Sequence, residues 1–286
     1  MADSDSITKQ VPVENLDEAI AHFTNNQGYR LEMIKPADAP REALLLKNGR
    51  RIRLILSEPP VVTGELNDGQ KDPPDNSGGS DWVIGRAGME YRDLIPGRLG
   101  GKVIASHIRL TKGGEVPDYV HYHKVDFQII YCKRGRIKVV YEDQGPPFWL
   151  ETGDCVLQPP EIRHRVLECT AGAEVIEISM PADHETWVEH NIELPTAELK
   201  RDRDFSGQRF CKSDAFRRSV LMLEGVTVMR RDLGIGAATG GRYNALVQQL
   251  RVDEDLPANY ANERDLRLYF KLDAAEMLVV ELGLSP

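Results

Sequence analysis

The chain has 286 residues, a formal net charge of −9 and 28% charged residues, a composition typical of soluble globular proteins. Its acidity and the lack of a basic block exclude nucleic acid and anionic membranes as main partners. No apolar run is long enough to span a membrane. The N-terminal MADSDSITKQ lacks the apolar core of a secretory signal, so we expect a cytoplasmic protein.

Residues 8–57 are predicted to form one strand, one helix and three further strands. This order resembles a half-module of the glyoxalase and extradiol dioxygenase superfamily. Its single histidine, His22, falls on the helix, so no ligand set carries over and we expect a packing or dimerisation element. Residues 58–82 are rich in Pro, Gly, Asp, Asn and Ser and are predicted to be a flexible linker.

Residues 83–185 contain short β-type runs such as KVIASHIRL, FQIIYCK, RIKVVYE and EVIEIS, with turn residues at close intervals. Almost no helical periodicity interrupts them. This density of strands predicts a mainly β domain built as a sandwich or a small barrel.

Three histidines of this segment have the spacing of a metal site. His121 and His123 are two residues apart, so on a strand their side chains face the same side. Two such imidazoles can meet one metal ion at about 2.0–2.1 Å per nitrogen. His164 follows Gly153 and Pro159 and begins the next predicted strand, from which it can supply a third nitrogen.

These positions resemble the two motifs of the cupin superfamily. His121, His123, position 128 and Gly135 match the first motif, and Gly153, Pro159 and His164 match the second. The resemblance covers roughly residues 83–182 and, more weakly, 220–286. It implies a jelly-roll cupin β-barrel that holds one divalent transition metal, which could be Fe, Ni, Mn, Cu or Zn.

The sequence departs from the family at position 128, where Gln128 replaces the motif's glutamate. An amide can coordinate weakly or bind a metal-bound water, so Gln128 is predicted as a ligand and catalytic candidate, but it cannot act as a carboxylate base. Asp126 is an alternative oxygen ligand, although its parity on the strand points it away from His123. Glu161 replaces the second motif's glycine.

Other residues are weaker candidates. Tyr131, Tyr141 and His107 are candidates for lining a substrate cavity, although their sequence context favours core packing for each of them. His184, His190 and His22 have no partner spacing and are predicted to lie on the surface.

Residues 186–286 contain a partial repeat of the preceding domain. Arg92-Asp93-Leu94 recurs as Arg231-Asp232-Leu233, ASHIRL as ALVQQL and VVYE as LVVE, at a nearly constant offset. At the same offset Tyr260, Asn262 and Arg267 replace His121, His123 and Gln128. We therefore expect a degenerate cupin repeat without metal ligands. Its missing strands would leave edges that the N-terminal module or a second subunit must cover, so a homodimer is expected.

Three neutral imidazoles leave open positions on a metal ion for a small-molecule substrate and dioxygen. The sequence therefore favours a metal-dependent dioxygenase that acts on a small carbonyl, enol or aromatic compound. A non-catalytic binding or sensor protein and a metal-dependent isomerase are the alternatives. Dependence on dioxygen separates the first from the other two.

Overall fold

The structure is a computed structural model that describes residues 9–38, 40–57, 82–95, 97–216, 219–223, 226–249, 256–261, 265–273 and 275–283. The predicted linker 58–82 lies outside the described residues except for Trp82. The fold is mainly β, as predicted. Among the described residues, no helix has the length and apolar character needed to cross a membrane.

The strands are β1 (Lys9–Val13), β2 (Arg30–Lys35), β3 (Glu42–Lys47), β4 (Arg50–Leu56), β5 (Val83–Ile84), β6 (Glu90–Asp93), β7 (Ile104–Leu110), β8 (Gly114–Glu115), β9 (His121–His123), β10 (Phe127–Arg134), β11 (Arg136–Tyr141), β12 (Phe148–Glu151), β13 (Cys155–Leu157), β14 (His164–Cys169), β15 (Ala173–Met180), β16 (Thr186–Val188), β17 (Cys211–Ser213), β18 (Ser219–Leu223), β19 (Val226–Asp232), β20 (Tyr243–Gln249), β21 (Tyr260–Ala261), β22 (Asp265–Lys271) and β23 (Glu276–Gly283). The helices are α1 (Leu16–Ala21), which continues into a π-helical turn (His22–Asn26), a 3-10 turn (Arg86–Gly88), α2 (Arg98–Gly101) and α3 (Ile235–Ala238).

The first sheet joins the N-terminal module to the strands that carry the histidines. Its order is β1-β4-β3-β2-β16-β9-β14-β11-β12, and β8 also pairs with β14. The module has the predicted order of one strand, a helix and three strands. Its β2 pairs with β16, where Thr186 lies opposite Ile34 and Trp187 opposite Met33. The module therefore extends the sheet of the histidine strands edge to edge.

The second sheet has the order β17-β13-β10-β15-β7-β6-β5 and is covered on both faces. Side chains of β10 alternate between two cores: Ile130 and Cys132 face the first sheet, whereas Ile129 and Tyr131 face the opposite way. Burial on both faces explains why residues 129–132 of this strand form a continuous apolar run.

The third sheet, β18-β19-β20-β23-β22-β21, contains the predicted repeat. In it β19 pairs with β20, β20 with β23 and β23 with β22, which matches the β6-β7-β15-β10 order of the second sheet. The alignment of VVYE with LVVE is wrong, because VVYE begins in β11 of the first sheet whereas LVVE lies in β23, the counterpart of β15.

The inner face of the third sheet packs against the outer face of the second sheet in one apolar core, which includes Leu268, Leu278 and Val280 beside Phe127 and Ile178. The contact joins two faces and buries large apolar side chains of both. The second sheet of the same chain thus covers this face of the repeat. The N-terminal module belongs to the first sheet and does not cover it.

Candidate metal centre

Strand register brings the three predicted histidines together. Strand β9 lies between β16 and β14, and His121 is directly opposite His164 on β14. His123, two residues further on, shares the face of His121. Ring centroids are 4.2 Å apart for His121 and His164, 5.1 Å for His121 and His123, and 5.2 Å for His123 and His164. The three residues are buried, with relative exposures of 0, 4 and 6% for His121, His123 and His164.

Hydrogen bonds fix which ring nitrogen each histidine can offer. The Nδ1–H of His121 donates to the Tyr119 carbonyl at 2.8 Å, and that of His164 to the Ile162 carbonyl at 2.9 Å. A carbonyl oxygen has no proton to give, so Nδ1 must carry the proton and Nε2 is left with its lone pair. His123 Nδ1 is 2.8 Å from the Thr186 hydroxyl, an arrangement that permits the same tautomer.

The charge state of these rings also suits a metal. Burial lowers the pKa of His164 to about 4 and holds the pKa values of His121 and His123 well below their usual range. All three rings are therefore neutral at pH 7. The Nε2 of His121 is buried and has no hydrogen-bond partner among the described residues. One nitrogen from each ring lies within 4.8 Å of the other two, so the donor set fits a single metal ion.

Two of the three histidines line a cavity between the first and second sheets. Its walls are mainly apolar, and His123 and His164 line it together with Tyr141, whose ring stacks on His164 with centroids 5.6 Å apart. The other apolar lining residues are Met89, Tyr91, Ile108, Leu110, Ile130, Ile137, Val139, Val166 and Val175. Three further polar side chains reach it, those of Arg86, Gln158 and Glu177.

The cupin domain family matches residues 106–179, a range that contains all three histidines. Residues 106–179 form a cupin domain. No curated protein sequence gives a significant match to the chain.

Solved structures to which the chain is similar include two of Bacillus subtilis oxalate decarboxylase. A variant of that enzyme is 12% identical, with a TM-score of 0.43, over 72% of this chain and 69% of its own. A structure in a study of its Mn(II) centres is 12% identical, with a TM-score of 0.45, over 73% and 71%. An oxalate decarboxylase studied for proton-coupled electron transfer gives 12% identity and a TM-score of 0.46 over 76% and 73%.

A buried ion pair between Arg86 and Asp118 lies next to the three histidines. Asp118 is fully buried, pairs with Arg86 and accepts a hydrogen bond from the Val166 amide at 3.0 Å. Its Oδ1 is also 3.7 Å from His121 Nδ1. The carboxylate thus ties β14 to the segment that precedes His121 and keeps the Arg86 side chain at the cavity.

The two candidate oxygen ligands at positions 126 and 128 differ in burial: the first lies on the surface and the second inside the domain. Gln128 is buried beside the cavity, and its Nε2 donates to Glu177 Oε1 at 3.2 Å. Asp126 is exposed and lines a surface cleft with Arg163 and Arg203. The structure therefore brings Gln128 to the inner side of the cupin domain and leaves Asp126 outside it.

Of the three predicted substrate-binding residues, only Tyr141 lines the cavity. Tyr131 faces the opposite side of β10 and packs in the core shared with the third sheet. His107 lies on β7, where its Nε2 is 2.9 Å from Glu174 Oε2 and its Nδ1 is 3.0 Å from an Arg92 nitrogen. The structure does not bring Tyr131 and His107 to the three histidines, because their faces of the second sheet point elsewhere.

The prediction that His184 lies on the surface is wrong. His184 is 3% exposed, and its ring lies edge-on to His123 with centroids 5.4 Å apart. It precedes β16, so the pairing of β16 with β9 carries it inward. His22 and His190 are exposed, as predicted.

The sequence interpretation missed Arg86, Asp118, Thr186 and Glu177. One signal could have revealed the last of these. Glu174 and Glu177 are three residues apart on one strand, so they must lie on opposite faces, and one of them had to point into the domain. No comparable local signal marks Arg86 or Thr186, which reach the site only through long-range pairing.

Proposed function

We propose that the chain is a metal-dependent oxygenase that acts on a small carbonyl, enol or aromatic compound. The observation that carries this proposal is the convergence of three neutral imidazoles, two of which line an apolar cavity. A divalent metal held by His121, His123 and His164 would supply Lewis acidity and a path for electrons to an adjacent substrate.

The remaining chemistry belongs to the chain. None of the three histidine nitrogens brings a negative charge, so these ligands leave the positive charge of a bound metal uncancelled, and that charge would attract an enolate or phenolate oxygen. The apolar walls exclude water and receive the carbon skeleton of the substrate. Tyr141 holds the plane of the His164 ring by stacking, and Thr186 holds that of His123 through its hydrogen bond.

The test begins with bound metals, measured by mass spectrometry on the native protein and on His123→Ala. Oxygen uptake by the iron-loaded native protein is then recorded over a panel of enolisable and aromatic compounds, with His123→Ala as control. We expect uptake that depends on at least one compound and is lost in the variant. Native protein that binds metal but consumes no oxygen with any compound would contradict the oxygenase.

A metal-dependent isomerase is the second candidate, and Glu177 favours it because a carboxylate in the cavity can move a proton. An isomerase converts its substrate at the same rate without dioxygen. Product formation from the same panel under nitrogen and under air therefore separates the two functions.

A further inference from the structure

Glu177 is an acidic side chain in the wall of the cavity, which it lines together with His123 and His164. It lies on β15, where it is opposite Ile130 of β10, and Ser179 of the same strand is opposite Gln128. Gln128 and Glu177 are therefore diagonal neighbours on paired strands and project from the same face.

Two hydrogen bonds reach this carboxylate, and both end on Oε1. Gln128 Nε2 donates at 3.2 Å and the Ser179 hydroxyl at 3.3 Å. Within the part of the chain that the structure describes, Oε2 receives no hydrogen bond, which leaves one oxygen of Glu177 for a molecule in the cavity.

The carboxylate also lacks a cation bound directly to it. Arg86 lines the same cavity but forms its ion pair with Asp118, and the described residues offer Glu177 no salt bridge. A carboxylate placed among apolar side chains without a paired cation costs free energy. A purely structural role therefore gives little reason for an acid at this position.

The surroundings of Glu177 shift the pKa of its carboxyl group upward. Burial raises the pKa of Glu177, although Arg86 and the hydrogen bonds from Gln128 and Ser179 oppose the rise. The position of Glu177 in the cavity, with one oxygen free of hydrogen bonds from the described residues, lets it accept and return a proton.

We propose that Glu177 is the catalytic proton-transfer residue of this cavity and supplies the carboxylate that Gln128 cannot provide. The proposal rests on the proposed function in one respect, namely that a small enolisable compound occupies the cavity. The substrate class is carbonyl compounds with an acidic C–H next to the carbonyl group. Glu177 accepts that proton, the electron pair of the C–H bond stays on the substrate as its enolate, and the glutamic acid later returns the proton to the product.

The first measurement follows proton transfer without dioxygen. Metal-loaded native protein, Glu177→Gln and the control Glu168→Gln are incubated under nitrogen in D2O with pyruvate, phenylpyruvate or hydroxyacetone, and ¹H NMR records the loss of the exchangeable C–H signal. Glu168 is a matched control because it lies on β14 with His164 but pairs with Lys138 on the surface. We expect native protein and Glu168→Gln to accelerate exchange of at least one probe, and Glu177→Gln to lose about 100-fold or more of that acceleration.

The second measurement needs neither metal nor turnover. In metal-free protein labelled with ¹³C at the glutamate δ-carbons, the Glu177 signal is the one absent from Glu177→Gln, and it should shift when the exchanging probe is added. Metal content and melting temperature establish that Glu177→Gln folds. If Glu177→Gln does not fold, Glu177→Asp is used in its place, because aspartate keeps the negative charge but holds it one methylene further from the cavity.

Equal exchange by native protein and Glu177→Gln, or no exchange of any probe by native protein, overturns the proposal. A Glu177 signal that ignores the probe overturns it as well. Neither measurement depends on oxygen uptake. Failure of the oxygenase proposal would therefore leave the proposed role of Glu177 intact. Oxygen uptake that is retained in Glu177→Gln would contradict the role of Glu177 and not the oxygenase.

Discussion

The cupin domain and the third sheet share a strand order but differ in what lies between their strands. In both, a strand ending in Arg-Asp, a left-handed glycine (Gly97 or Gly234), a short helix and a second strand follow one another. In the cupin domain β11 to β14 intervene between β10 and β15, whereas β22 leads almost directly to β23. Among the described residues the third sheet therefore has no opposing sheet of its own, and its inner face packs against the cupin domain.

The difference shows that the strand order and the apolar packing of such a sheet do not depend on a metal site. The cupin domain needs the first sheet, because neighbouring strands β9 and β14 of that sheet carry the three histidines. The described part of the repeat contains no counterpart of that sheet. The repeat needs only one apolar face.

The largest effect concerns metal content. His123→Ala removes one of three converging nitrogens, so bound metal should fall from near one equivalent to a small fraction. Tyr260→Phe, at the position that the repeat aligns with His121, should leave metal content unchanged. Mass spectrometry of both purified variants measures this, and loss of metal in the Tyr260 variant would show that the repeat shares the site.

Truncation in the shared core should affect stability without affecting metal binding. Leu268 is fully buried on the inner face of the third sheet, so Leu268→Ala should lower the free energy of unfolding by about 2–5 kcal/mol. Leu199→Ala, at an exposed leucine, is the control. Urea denaturation gives the stabilities. An unchanged midpoint for Leu268→Ala would mean that the repeat folds independently of the cupin core.

Acid should destabilise the metal-free cupin domain through its histidines. Because the folded-state pKa of His164 is lowered from 6.5 to about 4, the unfolded chain binds the proton first as pH falls. Stability is therefore present above about pH 6.5 and is lost toward about pH 4, by about 3 kcal/mol for His164 alone. Denaturation midpoints across this range should fall less steeply in His164→Gln. Equal slopes would contradict the burial argument.

Removal of the Thr186 hydroxyl should weaken the metal site without dismantling it. Thr186→Val keeps the shape of the side chain but removes the partner of His123 Nδ1, so metal affinity should fall about 10- to 100-fold. Thr186→Ser should restore it. Competition with a chelator of known affinity measures both. Weak binding by the serine variant would mean that packing of β16, and not its hydroxyl, sets the affinity.

The smallest effect concerns the second motif. Glu161 has a φ of 59°, so it keeps the left-handed conformation of the glycine that it replaces. Glu161→Gly should therefore raise the free energy of unfolding by about 1 kcal/mol. Glu161→Ala retains the Cβ strain and should gain nothing. Thermal unfolding measures the stability of both variants. An equal response of the two would refute the backbone strain at Glu161.

Local sequence patterns were sufficient to predict the mainly β fold, the N-terminal element order, the partial repeat and the three histidines. These follow from local patterns, since alternation places His121 and His123 on one face and two turn motifs place His164 at the start of the next strand. Spacing and residue type are sufficient where the relevant neighbours are close in the chain.

The other residues of the site could be located only from the tertiary structure. The second sheet is buried on both faces, so apolar character could not tell that Ile130 faces the cavity and Tyr131 the other core. Glu177 meets Gln128 through strand pairing across 49 residues of chain, and Thr186 meets His123 across 63. Such contacts depend on register between distant strands, which packing of the whole domain fixes and local sequence does not encode.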